Sequence, residues 1–459
     1  MYSSVKQSSM RKKNNQISLY IPIILVGLYS MSTIVLYFLG PWDWPTKNLF
    51  IFSTLLLAYN VALILGYFLG IKVNIGNKFK DSLQIDNYGP SRKGLKYINI
   101  CIYIFFVFTV LNCIRVTGLS SFAPFDYISE VIKGIKDPAL QYRENLGRAH
   151  GSAFGGSLLS YLNVLISPFI WGAIPLALFY FKKLPLFTKF IAIFCIFLEC
   201  SRWIAIGTNK GIFDIAITIV TVLLIKNILR NRNKETRLRR KNIKAKVLFF
   251  LILPMYFFTT AISDRLGGNV TKYNMVINNV PINPDSFLMK ITPEFFETAL
   301  ILISSYVTQG YYALSMAIAL PYTPLYGIGN SMFLMENYKK FSNIDVFEYT
   351  YQAKLAEYGW DPFVNWHTIY TWLANDVSFI GVIFVMLVLG FIYAKVWKDV
   401  LYSENSIAIV LMCLFSLIFI FMSSNNVILS NPTSFMAFWG LLMYWIFLKL
   451  FSPIRRKQN

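Results

Sequence analysis

Histidine and cysteine are nearly missing from this chain, with 2 and 5 residues among 459. His150 and His367 lie far apart, and no His/Cys cluster has the spacing of metal ligands, so no metal is expected. Cys101, Cys113, Cys195, Cys200 and Cys413 are odd in number and all fall within apolar runs. That pattern argues against a disulfide framework bracing the loops and marks them as small buried hydrophobes. Charge is scarce as well, at 14% of residues, and acids are outnumbered, 22 against 43 Lys and Arg. There is no P-loop, no CxxC pair and no internal repeat. Without a nucleotide motif an ATP-driven reaction is not expected, and no cofactor is implied.

What fills the chain is hydrophobic residues, 56% of the total, with a mean hydropathy of +0.52. They fall into about ten long runs, near 17–40, 48–71, 97–114, 157–181, 187–206, 210–228, 247–263, 377–397, 406–423 and 434–451. Each is about the length needed to cross the ~30 Å hydrocarbon core as a helix. The fold class is an all-α polytopic membrane protein with about ten transmembrane helices (ten to twelve), forming one integral membrane domain over 1–459.

Charge orders the spans. Basic residues crowd the N-terminus (Arg11, Lys12, Lys13), the loop 72–96, the turn 182–189, the run RNRNKETRLRRKNIKAK within 226–246, and the C-terminus (Arg455, Arg456, Lys457). Assigning these to the cytoplasm closes the count with both termini inside. The N-terminus then reads as a retained signal anchor. The net charge of +21 is a topogenic signal and not a nucleic-acid footprint. The 226–246 run is expected to be a solvated hairpin, with anionic membrane lipids as partners. The GYFLG stretch at Gly66–Gly70 has small-xxx-small spacing for a helix contact. Asn269-Val270-Thr271 matches a glycosylation acceptor.

Two large segments fall outside, 115–156 and 264–376. In the first, Phe125, Ile128, Val131, Ile132 and Ile135 recur at helical spacing opposite Ser129, Glu130, Lys133 and Lys136, an amphipathic interfacial helix ended by Pro138. The following QYRENLGRAHGSAFGG reads as a flexible glycine-rich loop. In the second, Thr292-Pro293-Glu294 starts a helix. Gly310 divides its apolar residues into 295–308 and 311–320, each too short to span, so short re-entrant or interfacial helices are expected.

External cations run against the usual charge bias and call for a reason. They are Arg115, Arg143, Arg148, Arg202, Lys210 and Arg265. Glu199 and Arg202 share a helix face, as do Lys210 and Asp214, so both pairs are able to neutralise themselves. Arginine also binds phosphate oxygens bidentately, which makes this set a candidate pyrophosphate site. His367 and the nearby Asp376 are the candidate catalytic residues, with His367 as general base. Asp376, Glu294, Glu297, Asp361 and His150 are rival bases. Trp360, Trp366 and Tyr370 are candidates for stacking on sugar rings, although tryptophan and tyrosine equally populate interfacial belts.

The layout resembles the bacterial O-antigen polymerases, the Wzy-type oligosaccharide repeat-unit polymerases. The resemblance is carried by SRWIAIGTNKG (201–211), by YVTQGYYALSMAIAL followed by YGIGNS, and by WHTIYTWLANDVSFIG (366–381). It implies a metal-independent membrane glycosyltransferase acting at the outer face of the cytoplasmic (inner) membrane. A growing glycan on undecaprenyl diphosphate passes to a new lipid-linked repeat unit, and undecaprenyl diphosphate leaves. A flippase and a chain-length regulator are its implied partners. One departure is plain: family loop motifs pair an arginine with a glycine at fixed spacing, and Arg143 with Gly151, Gly155 and Gly156 does not match them. A lipid-linked oligosaccharide flippase and an O-antigen ligase are the alternatives.

Overall fold

The computed structural model describes residues 2–73, 92–119, 121–150, 156–232, 241–268, 270–271 and 273–451. The side chains of 2–16, 92–93, 146–150, 156–157 and 241–242 lie outside that description. The chain is almost entirely helical. It begins with α1 (Tyr2–Leu39), α2 (Leu49–Lys72) and α3 (Arg92–Thr117). Then come α4 (Pro124–Lys136), α5 (Pro138–His150), α6 (Gly156–Leu165), α7 (Ser167–Tyr180), α8 (Leu186–Ala205), α9 (Lys210–Arg232) and α10 (Lys241–Arg265). A hairpin, β1 (Val276–Ile277) with β2 (Val280–Pro281), leads into α11 (Phe287–Ile291), α12 (Glu294–Ala317), α13 (Met332–Ser342) and α14 (Tyr351–Ala356). The chain closes with α15 (Ile369–Ser403), α16 (Ser406–Phe421), α17 (Val427–Ser430) and α18 (Pro432–Phe451).

Seven of these helices are long and apolar enough to cross a membrane: α1 over Ile17–Leu39, α2, α3, α9, α10, α15 and α18. The pair α6–α7, bent by 56°, makes an eighth if it is one span. The chain is therefore a multi-pass helical membrane protein. Two of the ten expected crossings are of a different kind. Helix α8 carries Lys189, Glu199 and Arg202. Helix α16 has 16 residues, about 24 Å of helix. It is buried all round over Ala408–Phe415 and again over Leu417–Phe419, so it sits inside the bundle against α9, α15, α18 and α7. A helix apolar on every side is an interior helix.

The seam between α2 and α15 explains the GYFLG stretch. The two helices run parallel, and a Cβ at Gly66, Gly70 or Gly390 would collide with backbone of the facing helix at Leu387, Phe391 and Leu63 respectively. Glycine at these positions lets the backbones touch, as small-residue helix contacts require. Lys398 donates to Ile71 O at 3.0 Å, and Lys395 donates to Val73 O, so cations sit at the C-terminus of α2 where its dipole is negative.

Other expectations need correction. Helix α12 is continuous through Gly310; that glycine marks a close approach, because a Cβ there would meet the Ser423 carbonyl. The helix lies across the end of the bundle: Tyr311 bonds Thr33 at 2.8 Å, Trp42 reaches Ile301 O, and Lys47 N reaches Ser315. Helix α4 forms over the expected residues, with Phe125, Ile128, Ile132 and Ile135 exposed and Tyr127 and Gly134 buried on α8. The glycine-rich stretch after it is helical as far as His150. The remaining glycines at 151–155, the residues 233–240 of the basic run expected to form a hairpin, and Asn269 lie outside the described residues. All five cysteines are free and lie in helices, three of them buried.

Candidate functional site

Three of the stretches singled out in the sequence meet at one end of the bundle. Trp366 N donates to Gln309 Oε1 at 3.2 Å, which ties the segment before α15 to the middle of α12. Ile369 N donates to Met422 O at 3.1 Å, tying the same segment to the tip of α16. Tyr370 stacks on Tyr59 with ring centroids 4.6 Å apart. His367 is held between these anchors, 2% exposed, with Trp372 edge-on at 6.5 Å. Neither ring nitrogen has a hydrogen-bond partner among the described residues. Burial pushes its pKa down to about 3, so the imidazole is neutral at physiological pH. A buried histidine with both nitrogens open is unusual, because buried polar atoms are normally paired.

Asp376 sits beyond the first turns of α15, where Ser378 breaks the helix at φ 62°. Its Oδ1 accepts from Gly327 N and Gly329 N, each at 2.8 Å, and its Oδ2 accepts from Asn330 Nδ2 at 2.8 Å. The neighbouring Asn375 accepts from Tyr351 N and donates to Gly329 O and Gln352 Oε1, all at 2.9 Å. This Asn-Asp pair therefore moulds the YGIGNS loop around the kink. Both oxygens of Asp376 are committed to that loop.

The cations divide sharply. Arg202 Nε donates to Glu199 Oε2 at 3.1 Å, with a second contact to Oε1, and its guanidinium lies 4.5 Å from the Trp203 ring. Lys210 donates to Asp214 Oδ2 at 2.6 Å. Both pairs are thus neutralised inside the protein. Arg265 meets no carboxylate among the described residues: its guanidinium donates to Gly207 O, lies 4.3 Å from the Tyr142 ring, and leaves Nε buried without a partner there. Arg143 is exposed on α5, and Arg115, at the end of α3, makes no ion pair among the described residues. Arg148 and His150 belong to α5, but their side chains lie outside the described set.

Arg265 is linked to the histidine. It faces Tyr306 electrostatically, and the Tyr306 ring lies 5.5 Å from that of Trp366, the residue before His367. The cation, the Tyr306–Trp366 ring pair and, next in the chain, the open imidazole thus follow one another. Among the expected sugar platforms, Trp366 is half-buried, whereas Trp360 and Tyr370 are 1% and 0% exposed. Trp360 donates to Trp366 O at 3.3 Å and packs edge-on against Tyr312 and Trp44. It supports the site from below.

Sequence reasoning passed over the PWDWP turn between α1 and α2. Trp42 and Trp44 stack at 5.5 Å, Trp44 stacks on Tyr312 at 5.5 Å, and Trp44 Nε1 donates to Thr308 at 2.9 Å. Trp42 also bridges to Ile282 beside the β-hairpin, whose Asn278 donates to Asn365 Oδ1 at 3.0 Å. Two tryptophans locked between prolines in a short turn were the available signal, since such residues seldom sit in a turn merely to link spans. No family model, curated protein or solved structure matches the chain.

Proposed function

We propose that this chain is a glycosyltransferase of the bacterial cytoplasmic membrane, polymerising undecaprenyl-diphosphate-linked oligosaccharide repeat units at the outer face. The observation that carries the reading is the series Arg265–Tyr306–Trp366–His367, which joins one unneutralised cation to one open, neutral imidazole. In this reading the ten helical runs cross the bilayer with both termini inside. The basic ends of α7, α9, α15 and α18 face the cytoplasm, and the end bearing α12–α14 faces out.

The chemistry asks for few groups. An acceptor hydroxyl oxygen forms a bond to the anomeric carbon of the donor sugar as the bond from that carbon to the diphosphate oxygen breaks. The hydroxyl proton passes to a base, and undecaprenyl diphosphate departs with the electron pair. Arg265 opposes the charge growing on the leaving group, the type of stabilisation that usually dominates such catalysis. His367 is the base: its neutral form has a free lone pair, and a diphosphate anion brought near it favours the protonated form. Asp376 holds the loop 326–331 in place, and Trp366 presents the accessible ring for a sugar.

Deleting the gene in its host and separating surface lipopolysaccharide on a gel tests this directly. The expected pattern is core plus a single repeat unit, restored to a full ladder by the wild-type gene but not by Arg265→Ala or His367→Gln. Bare core with no repeat unit would assign the protein to lipid transit or ligation. An unchanged ladder would remove it from the pathway.

A further inference from the structure

In the loop between α8 and α9, residues 206–209, and in the elements packed near it, several buried polar atoms have no hydrogen-bond partner among the described residues. Asn209 is 8% exposed, and both its Oδ1 and its Nδ2 are buried and unpartnered. The same holds for Thr208 Oγ1, Gln141 Oε1, Asp214 Oδ1 and Arg265 Nε. Their residues belong to neighbouring elements. Gly207, at φ +65°, lies against Pro138 O and Tyr142 N of α5, and its carbonyl accepts from Arg265, while Asp214 is one turn into α9. Desolvating so many groups without partners is costly, and proteins keep such sets where something else completes them.

Their chemistry says what that is. A bare phosphate accepts hydrogen bonds and would leave Gln141 Oε1, Asn209 Oδ1 and Asp214 Oδ1 facing an anion. The nearby cations do not change this, because Arg202 and Lys210 are neutralised by Glu199 and Asp214. A mixed set of donors and acceptors, with one unneutralised arginine at its edge, matches hydroxyl groups next to a phosphate.

We propose that the 206–209 loop, with Gln141 and Asp214, binds the hydroxyl-bearing sugar attached directly to the lipid diphosphate, while Arg265 binds the diphosphate itself. This rests on the function proposed above and adds to it a sugar-recognition site on α5, α9 and the loop between α8 and α9. Asn209 donates through Nδ2 and accepts through Oδ1, and Thr208 adds a hydroxyl. Recognition of this kind rejects a ligand that lacks the hydroxyls, because the buried groups then stay unpaired.

The test uses the purified full-length protein in nanodiscs and two probes. One is undecaprenyl diphosphate, and the other is the lipid-linked repeat unit isolated from a host lacking the gene. Asn209→Leu and Thr208→Val are expected to weaken binding of the sugar-bearing lipid roughly tenfold or more, the loss of about one good hydrogen bond, and to leave undecaprenyl diphosphate binding unchanged. Arg265→Ala weakens both. Because the replaced atoms have no partners among the described residues, both loop variants keep the wild-type Tm, and Thr208→Ser restores binding. Equal weakening of both probes would make the loop a phosphate site and overturn the proposal. Unaltered binding of both would mean that ordered water alone fills it, which also overturns it. If the wild type binds neither probe, the proposed function itself fails, a distinct result.

Discussion

His367 carries the clearest consequence at the scale of single residues. Its ordinary pKa near 6.5 falls to about 3 because burial disfavours the charged ring. The folded state therefore binds fewer protons than the unfolded state between these values, and stability rises with pH across that window. The contribution is complete above about pH 6.5 and is lost as pH falls, by about 2 kcal/mol at pH 5. Thermal unfolding in detergent is expected to show a lower Tm at pH 5 than at pH 7.5, with the difference reduced in His367→Gln. Equal differences in the two proteins would mean that the ring is not sealed from solvent. Asp376 makes a second residue-level case. Removing its carboxylate leaves Gly327 N and Gly329 N without their acceptor and takes one of two acceptors from Asn330 Nδ2, at about 1–3 kcal/mol for groups left unpaired. Asp376→Ala should speed hydrogen–deuterium exchange over 326–331 by tenfold or more while α2 and α16 exchange as before. Unchanged exchange there would show that the loop keeps its shape by other means.

Among the elements, the α2–α15 seam is the most sensitive contact. At Gly66 a Cβ would enter the Leu387 carbonyl, which is backbone and cannot turn aside. Gly66→Val should therefore separate the helices and destabilise the protein by about 2–3 kcal/mol, in the range for overpacked cores. Gly27→Val is the comparison, because nothing lies within 4 Å of a Cβ there. Tm measured for both should fall only at the seam, and a fall at Gly27 alone would place the critical contact elsewhere. Helix α12 shows why a sequence can mislead at this scale. Gly310 reads as a break because glycine weakens helices, yet here tertiary packing against Ser423 and Thr368 sets its role and the helix runs on. Periodicity, in contrast, placed α4 correctly, since an amphipathic stripe follows from its own residues.

For the whole molecule, hydropathy made the helical membrane architecture legible, because spans must satisfy their backbone internally and advertise that in long apolar runs. The candidate site was legible in part. His367, Trp366 and Asp376 stood out as rare or polar residues near a span, and Arg265 as a misplaced cation. The neutralising partners of Arg202 and Lys210 were visible as helical spacing, but whether they would pair depended on rotamers that only packing decides. The joining of α12, the PWDWP turn and the tip of α16 was not readable, since contacts between segments hundreds of residues apart leave no local pattern. Sidedness is the remaining global property, and charge predicts it. Lys182 and Lys183, Lys226, Arg230 and Arg232, and Lys395, Lys398 and Lys449 all lie towards one end of the bundle, whereas Trp42, Trp44, His367 and the loop 326–331 lie at the other. Single cysteines placed at Phe341, 89% exposed on α13, and at the exposed Lys183 separate the two ends. In spheroplasts a membrane-impermeant maleimide should label the cysteine at 341 directly and the one at 183 only after permeabilisation. The native cysteines supply a low background, because their thiols are packed into helices. The reverse pattern would turn the molecule over in the membrane, setting Arg265 and His367 on the side where no glycan chain grows, and the polymerase reading would fall with it.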